Sequence, residues 1–233
     1  NGHKLASSSP LVRPEFAVLD PAVSLSLSSR QVGNGVVDAF IHIIEQYLTF
    51  PVNAKVQDRI AEGLLLTLLE DGPKALDDIH KDDMEVRANI MWSASMALNG
   101  LIGSGVPQDW STHMIGHELT ACFGTDHART LSIILPAVMK VRGQEKSQKL
   151  LQYAERVWNL HTGSAEQRIE RAIASTEKFF MLMDMPVRLK DIGVDENMID
   201  EILQRLELHG MTALGENKDV NLLVSRKILE MAL

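Results

Sequence analysis

Apolar residues recur at helical spacing along almost the whole of this chain. Between 34 and 47, Val36, Val37, Phe40, Ile41 and Ile44 form a stripe covering more than one face, which predicts a helix buried on most sides. A second helix is predicted over 54–70, ended by Asp71-Gly72-Pro73. A third covers 84–98 and runs out into the glycine-rich stretch 99–105, and a fourth covers 109–122. A fifth starts after Asp126, a residue suited to an N-cap, and Pro136 is expected to kink or interrupt it. The pattern continues over 145–160, then from the Ser164/Gln167 capping box to before Pro186, then over 195–208 and 219–231. Two segments break the rule. Phe16-Ala17-Val18-Leu19 reads as a short buried strand ended by Asp20-Pro21, and the Ser- and Gly-rich stretch 24–35 reads as a connector. A lone strand is unstable, so its sheet is expected in a part of the protein outside this sequence. The fold class is therefore all-α: a helical domain over 31–233, preceded by a linker over 1–30.

Composition narrows the function. The chain has 233 residues, 45% apolar and 23% charged, which describes a folded globular chain of one to two domains. Its formal charge of −8 disfavours a nucleic-acid partner. No apolar run approaches the roughly 18 residues of a membrane span. The single cysteine, Cys122, cannot form an internal disulfide, in keeping with a reducing, cytoplasmic setting. No secretion signal opens the chain. It starts Asn1-Gly2-His3-Lys4 without an initiator Met, and the expectation is a piece of something longer.

The chemistry lies in the histidines. His113 and His117 are four apart on one predicted helix face, and so are Asp38 and His42. Each pair alone fits a capped or hydrogen-bonded core role as well as metal ligation. An Asp and a His inside so apolar a helix are nonetheless costly to bury without partners. A zinc protease is excluded, because His117-Glu118 is not followed by the second histidine of His-Glu-x-x-His. Together, Asp38, His42, His113 and His127 make one carboxylate and three imidazoles, a set suited to Zn²⁺ or Fe²⁺ rather than Mg²⁺ or Ca²⁺. His117 would then lie one turn from His113 as a non-ligand, free for proton transfer or cofactor contact. His80 reads as part of a solvated loop, His3, His161 and His209 as surface or helix-end residues, and Cys122 as a buried thiol. The glycines of 100–105 follow a helix, which is the wrong context for a dinucleotide loop.

These residues also carry a resemblance. The segments are Phe16-Ala17-Val18-Leu19-Asp20-Pro21, Asn34-Gly35-Val36-Val37-Asp38 through His42, Val106-Pro107-Gln108-Asp109-Trp110 through Thr120, Asp126-His127-Ala128, and Leu151 through Trp158. From about residue 14 onward the chain resembles the C-terminal half of the iron-containing, or group III, alcohol dehydrogenases, of the NADPH-dependent aldehyde reductase and butanol dehydrogenase type. The resemblance implies metal ligands at Asp38, His42, His113 and His127, with His117 near nicotinamide and substrate. It implies an enzyme interconverting aldehydes and primary alcohols, with Fe²⁺ or Zn²⁺ in this domain and NADP(H) held by an N-terminal dinucleotide-binding domain. The strand at 16–19 would be a remnant of that domain, and the chain alone is expected to be inactive. A homodimer is expected. Two alternatives stand: a non-catalytic helical module with a structural metal, and a helical metal phosphohydrolase. The phosphohydrolase is the weaker, since Asp126-His127 reverses its His-Asp order and no further carboxylates cluster there.

Overall fold

The computed structural model describes residues 2–5, 9–12 and 14–233. Nine α-helices form among them: α1 (Ser29–Tyr47), α2 (Lys55–Lys74), α3 (Met84–Leu98), α4 (Ser111–Phe123), α5 (His127–Val141), α6 (Ser147–Arg156), α7 (Ala165–Leu182), α8 (Ile199–Leu208) and α9 (Leu222–Met231). No strand forms among the described residues; the nearest feature is an isolated bridge between Leu214 and Val220. The predicted strand at 16–19 is irregular and unburied, with Phe16 81% and Val18 83% exposed. A strand needs a neighbour for its backbone hydrogen bonds, and none is present here.

Two cores share one wall. Phe40, Ile41, Ile44 and their neighbours on α1 pack with α2, α6 and α7, and Leu131, Leu135 and Met139 of α5 close this first core. Ile133, Ile134, Ala137 and Val138, from the other face of α5, join Ile115 and Leu119 of α4 and the apolar faces of α8 and α9 in the second. Being wanted on both sides explains how α5 runs unbroken through Pro136, where a kink was expected. The burial gained on two faces outweighs the one intrahelical bond that proline removes.

The stretch expected to be a connector instead supplies the first turns of α1. Ser28 and Gln31 form a capping box: the Gln31 N–H donates to Ser28 Oγ at 3.3 Å, and Gln31 Oε1 accepts from the Ser28 N–H at 3.1 Å. Gly33 lies inside that helix because the chain approaches it closely, and a Cβ there would sit 2.7 Å from the Met183 carbonyl oxygen. The helix of 54–70 likewise runs on to Lys74.

Gly33 and Gly35 therefore separate packing from propensity. Gly33→Ala should destabilise by about 1–3 kcal/mol through overpacking. Gly35→Ala, whose Cβ meets nothing within 4 Å, should stabilise by up to about 1 kcal/mol. Thermal denaturation of the two variants side by side checks the opposite signs.

Candidate metal centre

The junction of α1, α4 and α5 gathers most of the residues singled out above. Asp38, His113 and His127 come one from each helix, and each offers a ligand atom within 4.8 Å of the others. Asp38 Oδ1 and His127 Nε2 are 3.6 Å apart. Three buried atoms here have no hydrogen-bond partner: Asp38 Oδ1, His113 Nε2 and His127 Nδ1. Buried polar atoms are nearly always paired, and each orphan costs about 1–3 kcal/mol. One carboxylate oxygen and two imidazoles, each with a ligand atom within 4.8 Å of the others and each with an unpaired buried atom, fit a transition-metal cation.

His42 stands slightly apart. Its ligand atoms fall outside the three-residue group, although its ring centroid is 4.2 Å from that of His113. Its Nδ1 donates to the Asp38 carbonyl oxygen, one turn back, at 2.7 Å, which leaves Nε2 with the lone pair. His117 is half-buried beside the cluster, with ring centroids 5.0 Å from His127 and 6.2 Å from His113. Asp126 accepts from Arg30 Nε at 2.7 Å and Asn34 Nδ2 at 2.8 Å, so it ties α5 to α1. Its side chain does not cap α5, as its position had suggested.

Glu45 was not anticipated from the sequence. It is 2% exposed and bridges two helices. Its Oε1 accepts the Thr112 N–H at 2.6 Å, in the first turn of α4, where the helix dipole favours a negative charge. Its Oε2 pairs with His113 Nδ1. With Nδ1 turned to Glu45, His113 has Nε2 left to face the cluster, and Nδ1 is the donor in the state where Glu45 is ionised. Burial and the neighbouring Asp109 carboxylate push Glu45 up to about 8. The spacing gave a usable signal, since Asp38, His42 and Glu45 recur at four and three positions along one helix.

Burial also sets the charge of the imidazoles. It is the main reason why His113 and His127 fall to about 3 and His117 to about 4. The Lys4 ammonium lowers all three further. At neutral pH they are uncharged, the form in which imidazole binds a metal.

The remaining candidates lie elsewhere. His209 is less exposed than expected: its Nδ1 bonds to Glu118 at 2.6 Å and its Nε2 meets His3 Nδ1 at 2.8 Å. His80 is half-buried beside Asp77, and His161 is exposed and bonded to Asn159. Cys122 is free and half-buried rather than fully enclosed. No helix among the described residues is long and apolar enough to cross a membrane.

Comparison with known proteins shows the family. A family model described as the Fe-containing alcohol dehydrogenase family, C-terminal, matches residues 33–219. The chain is 58% identical over 231 residues to the NADPH-dependent aldehyde reductase YqhD of Escherichia coli K12, covering 99% of this chain and 59% of that protein. It is 34% identical over 222 residues to NADH-dependent butanol dehydrogenase B of Clostridium acetobutylicum, covering 94% and 56%. The crystal structure of E. coli K-12 YqhD superposes with a TM-score of 0.97 over all of this chain and 59% of that one. The chain thus spans less than two thirds of the length of these relatives.

Acid should expose the neutral state of the three imidazoles. Their folded values lie below the ordinary 6.5, so the unfolded chain binds more protons between about 6.5 and 3. Stability contributed by neutral His113, His117 and His127 is complete above 6.5 and is lost as pH falls through that window. In the metal-free protein, NMR should show these rings still neutral at pH 5.5, where an ordinary histidine is largely protonated. A ring titrating near 6.5 would contradict the burial argument.

Proposed function

Because the chain belongs to the Fe-containing alcohol dehydrogenase family, we propose that it is the metal-holding helical domain of an enzyme that interconverts aldehydes and primary alcohols using NADP(H). The observation that carries this reading is the set of unpaired buried atoms on Asp38, His113 and His127, gathered from three helices. Asp38, His42, His113 and His127 would hold one Fe²⁺ or Zn²⁺, with His42 swinging its Nε2 into the set. When bound, the ion supplies Lewis-acid chemistry, polarising the substrate oxygen so that the carbonyl carbon accepts hydride.

The chain's own side chains do the rest. Glu45 orients the His113 ring through Nδ1, and in its ionised state keeps it in the ligating tautomer. His117, neutral and next to the ligands without belonging to them, holds or passes the proton that the substrate oxygen gains on reduction. Hydride chemistry belongs to the nicotinamide, held by a dinucleotide-binding domain preceding residue 31. We place the domain boundary at 30/31, within two residues of the start of α1 at Ser29. We extend the reading to a cytoplasmic homodimer. The lone free cysteine supports a reducing setting, and exposed Trp92 and Leu98 on α3 offer apolar surface for an interface.

Elemental mass spectrometry of the intact protein should find close to one Fe or Zn per chain. His127→Ala should remove the metal and, with it, aldehyde reduction. Glu45→Gln should weaken metal binding roughly 10–100-fold by titration while the protein stays folded. His117→Ala should keep the metal and lower turnover by about 10²-fold or more. A metal-free but active protein would overturn the reading, and loss of metal in His117→Ala would make that residue a ligand.

A further inference from the structure

The backbone at Trp110, the residue leading into α4, is left-handed, with φ 63° and ψ 6°. This region is uncommon for a bulky side chain and open to glycine without steric cost. The turn does not itself require an indole. Asp109 donates its N–H to the Glu45 carbonyl oxygen at 2.9 Å and accepts the Ser111 N–H on Oδ1 at 2.9 Å. Its other carboxylate oxygen lies 2.8 Å from the Lys146 ammonium. The residues on either side fix the path of the chain, and glycine would follow it with less strain. A large side chain kept in a costly conformation beside a candidate centre points to a use for that side chain.

The indole's position shows the use. Its Nε1 donates to Gln108 Oε1 at 2.9 Å, which fixes the ring's orientation. The ring meets His113 edge-on, at 5.3 Å and 72°, and His42 at 5.9 Å and 65°. It therefore closes the α1–α4 side of the ligand cluster with a rigid apolar plate, while part of the residue stays open to solvent.

We propose that Trp110 is a specificity-determining residue, forming the wall against which the carbon chain of an aldehyde or alcohol packs beside the metal ligands. This rests on the dehydrogenase reading above. A substrate whose oxygen lies in the ligand cluster must send its carbon chain out past one of the cluster's sides. On the Trp110 side a slim aliphatic chain lies along the indole, whereas a branched or aromatic group collides with a ring that Gln108 prevents from swinging away. The position selects substrates by width.

The test uses the intact, metal-loaded protein, with metal content measured for every variant. In Trp110→Gly the ratio of kcat/KM for benzaldehyde to that for butanal should rise about tenfold, within the range that pocket contacts of this size confer. Trp110→Phe, which keeps an aromatic ring and guards against a glycine variant that fails to fold, should shift the ratio in the same direction by less. Co²⁺ binding should quench part of the tryptophan fluorescence of the parent, and that part should be missing from Trp110→Phe. An unchanged ratio in an active, metal-loaded variant overturns this inference and leaves the dehydrogenase reading intact. Quenching unaltered by Trp110→Phe overturns the placement of the indole. A parent that binds metal yet reduces no aldehyde overturns the dehydrogenase reading, and this inference with it.

Discussion

The carboxylate of Glu45 is the contact on which the geometry of the candidate centre depends. It is sealed between α1 and α4, where burial disfavours its charge, and it has two partners: the Thr112 N–H at the positive end of α4, which partly offsets that cost, and the His113 ring. Those bonds set how α4 meets α1 and how His113 turns on its axis. Asp109, one turn away, repeats the logic, with Lys146 also bound to Glu216 and to the Leu48 carbonyl oxygen. The start of α4 is thus pinned by buried charges from α1, the start of α6 and the segment before α9. The ligand face of α4 has little freedom to drift.

Much of this was legible in the sequence, and the gaps have identifiable causes. Helical periodicity predicted the elements because most helices bury one broad apolar face. It faltered where a residue's meaning is set by its neighbour in space. Gly33 looked like a linker residue until the Met183 carbonyl was seen against it, and Pro136 looked like a break until both faces of α5 proved to be core. The strand at 16–19 had the right residues and no partner. For the site, the residue types picked out Asp38, His42, His113 and His127 as one set, of which the structure brings Asp38, His113 and His127 together. The same spacing held Glu45, but a carboxylate that serves a histidine instead of a cation looks in sequence like any charge on a helix. Trp110 stood only as part of a resembling segment and gave no sign of its backbone conformation, which is imposed by Asp109 and the helix that follows.

The two-core plan accounts for where the cluster sits. A helix with a core on each face, such as α5, exposes little of its length but must expose its ends. His127 is the first residue of α5, and Asp38 and His113 reach it from α1 and α4. The cluster therefore lies at the rim of the shared wall, rigid behind and open in front, which suits residues that must hold still while another molecule approaches.

Asp38, His113 and His127 are far apart along the chain; the Glu45–His113 bond alone closes a separation of 68 positions. An ion held by all three is a covalent-like cross-link between α1, α4 and α5, drawn tight across long loops of chain. Such a clip acts on the unfolded ensemble as a disulfide does, by removing the entropy of open loops. A chain with one cysteine has no internal disulfide with which to do this. With a metal bound, its three helices would share a staple that a chelator removes and a salt restores, so this domain would be fastened by something the cell can supply or withhold.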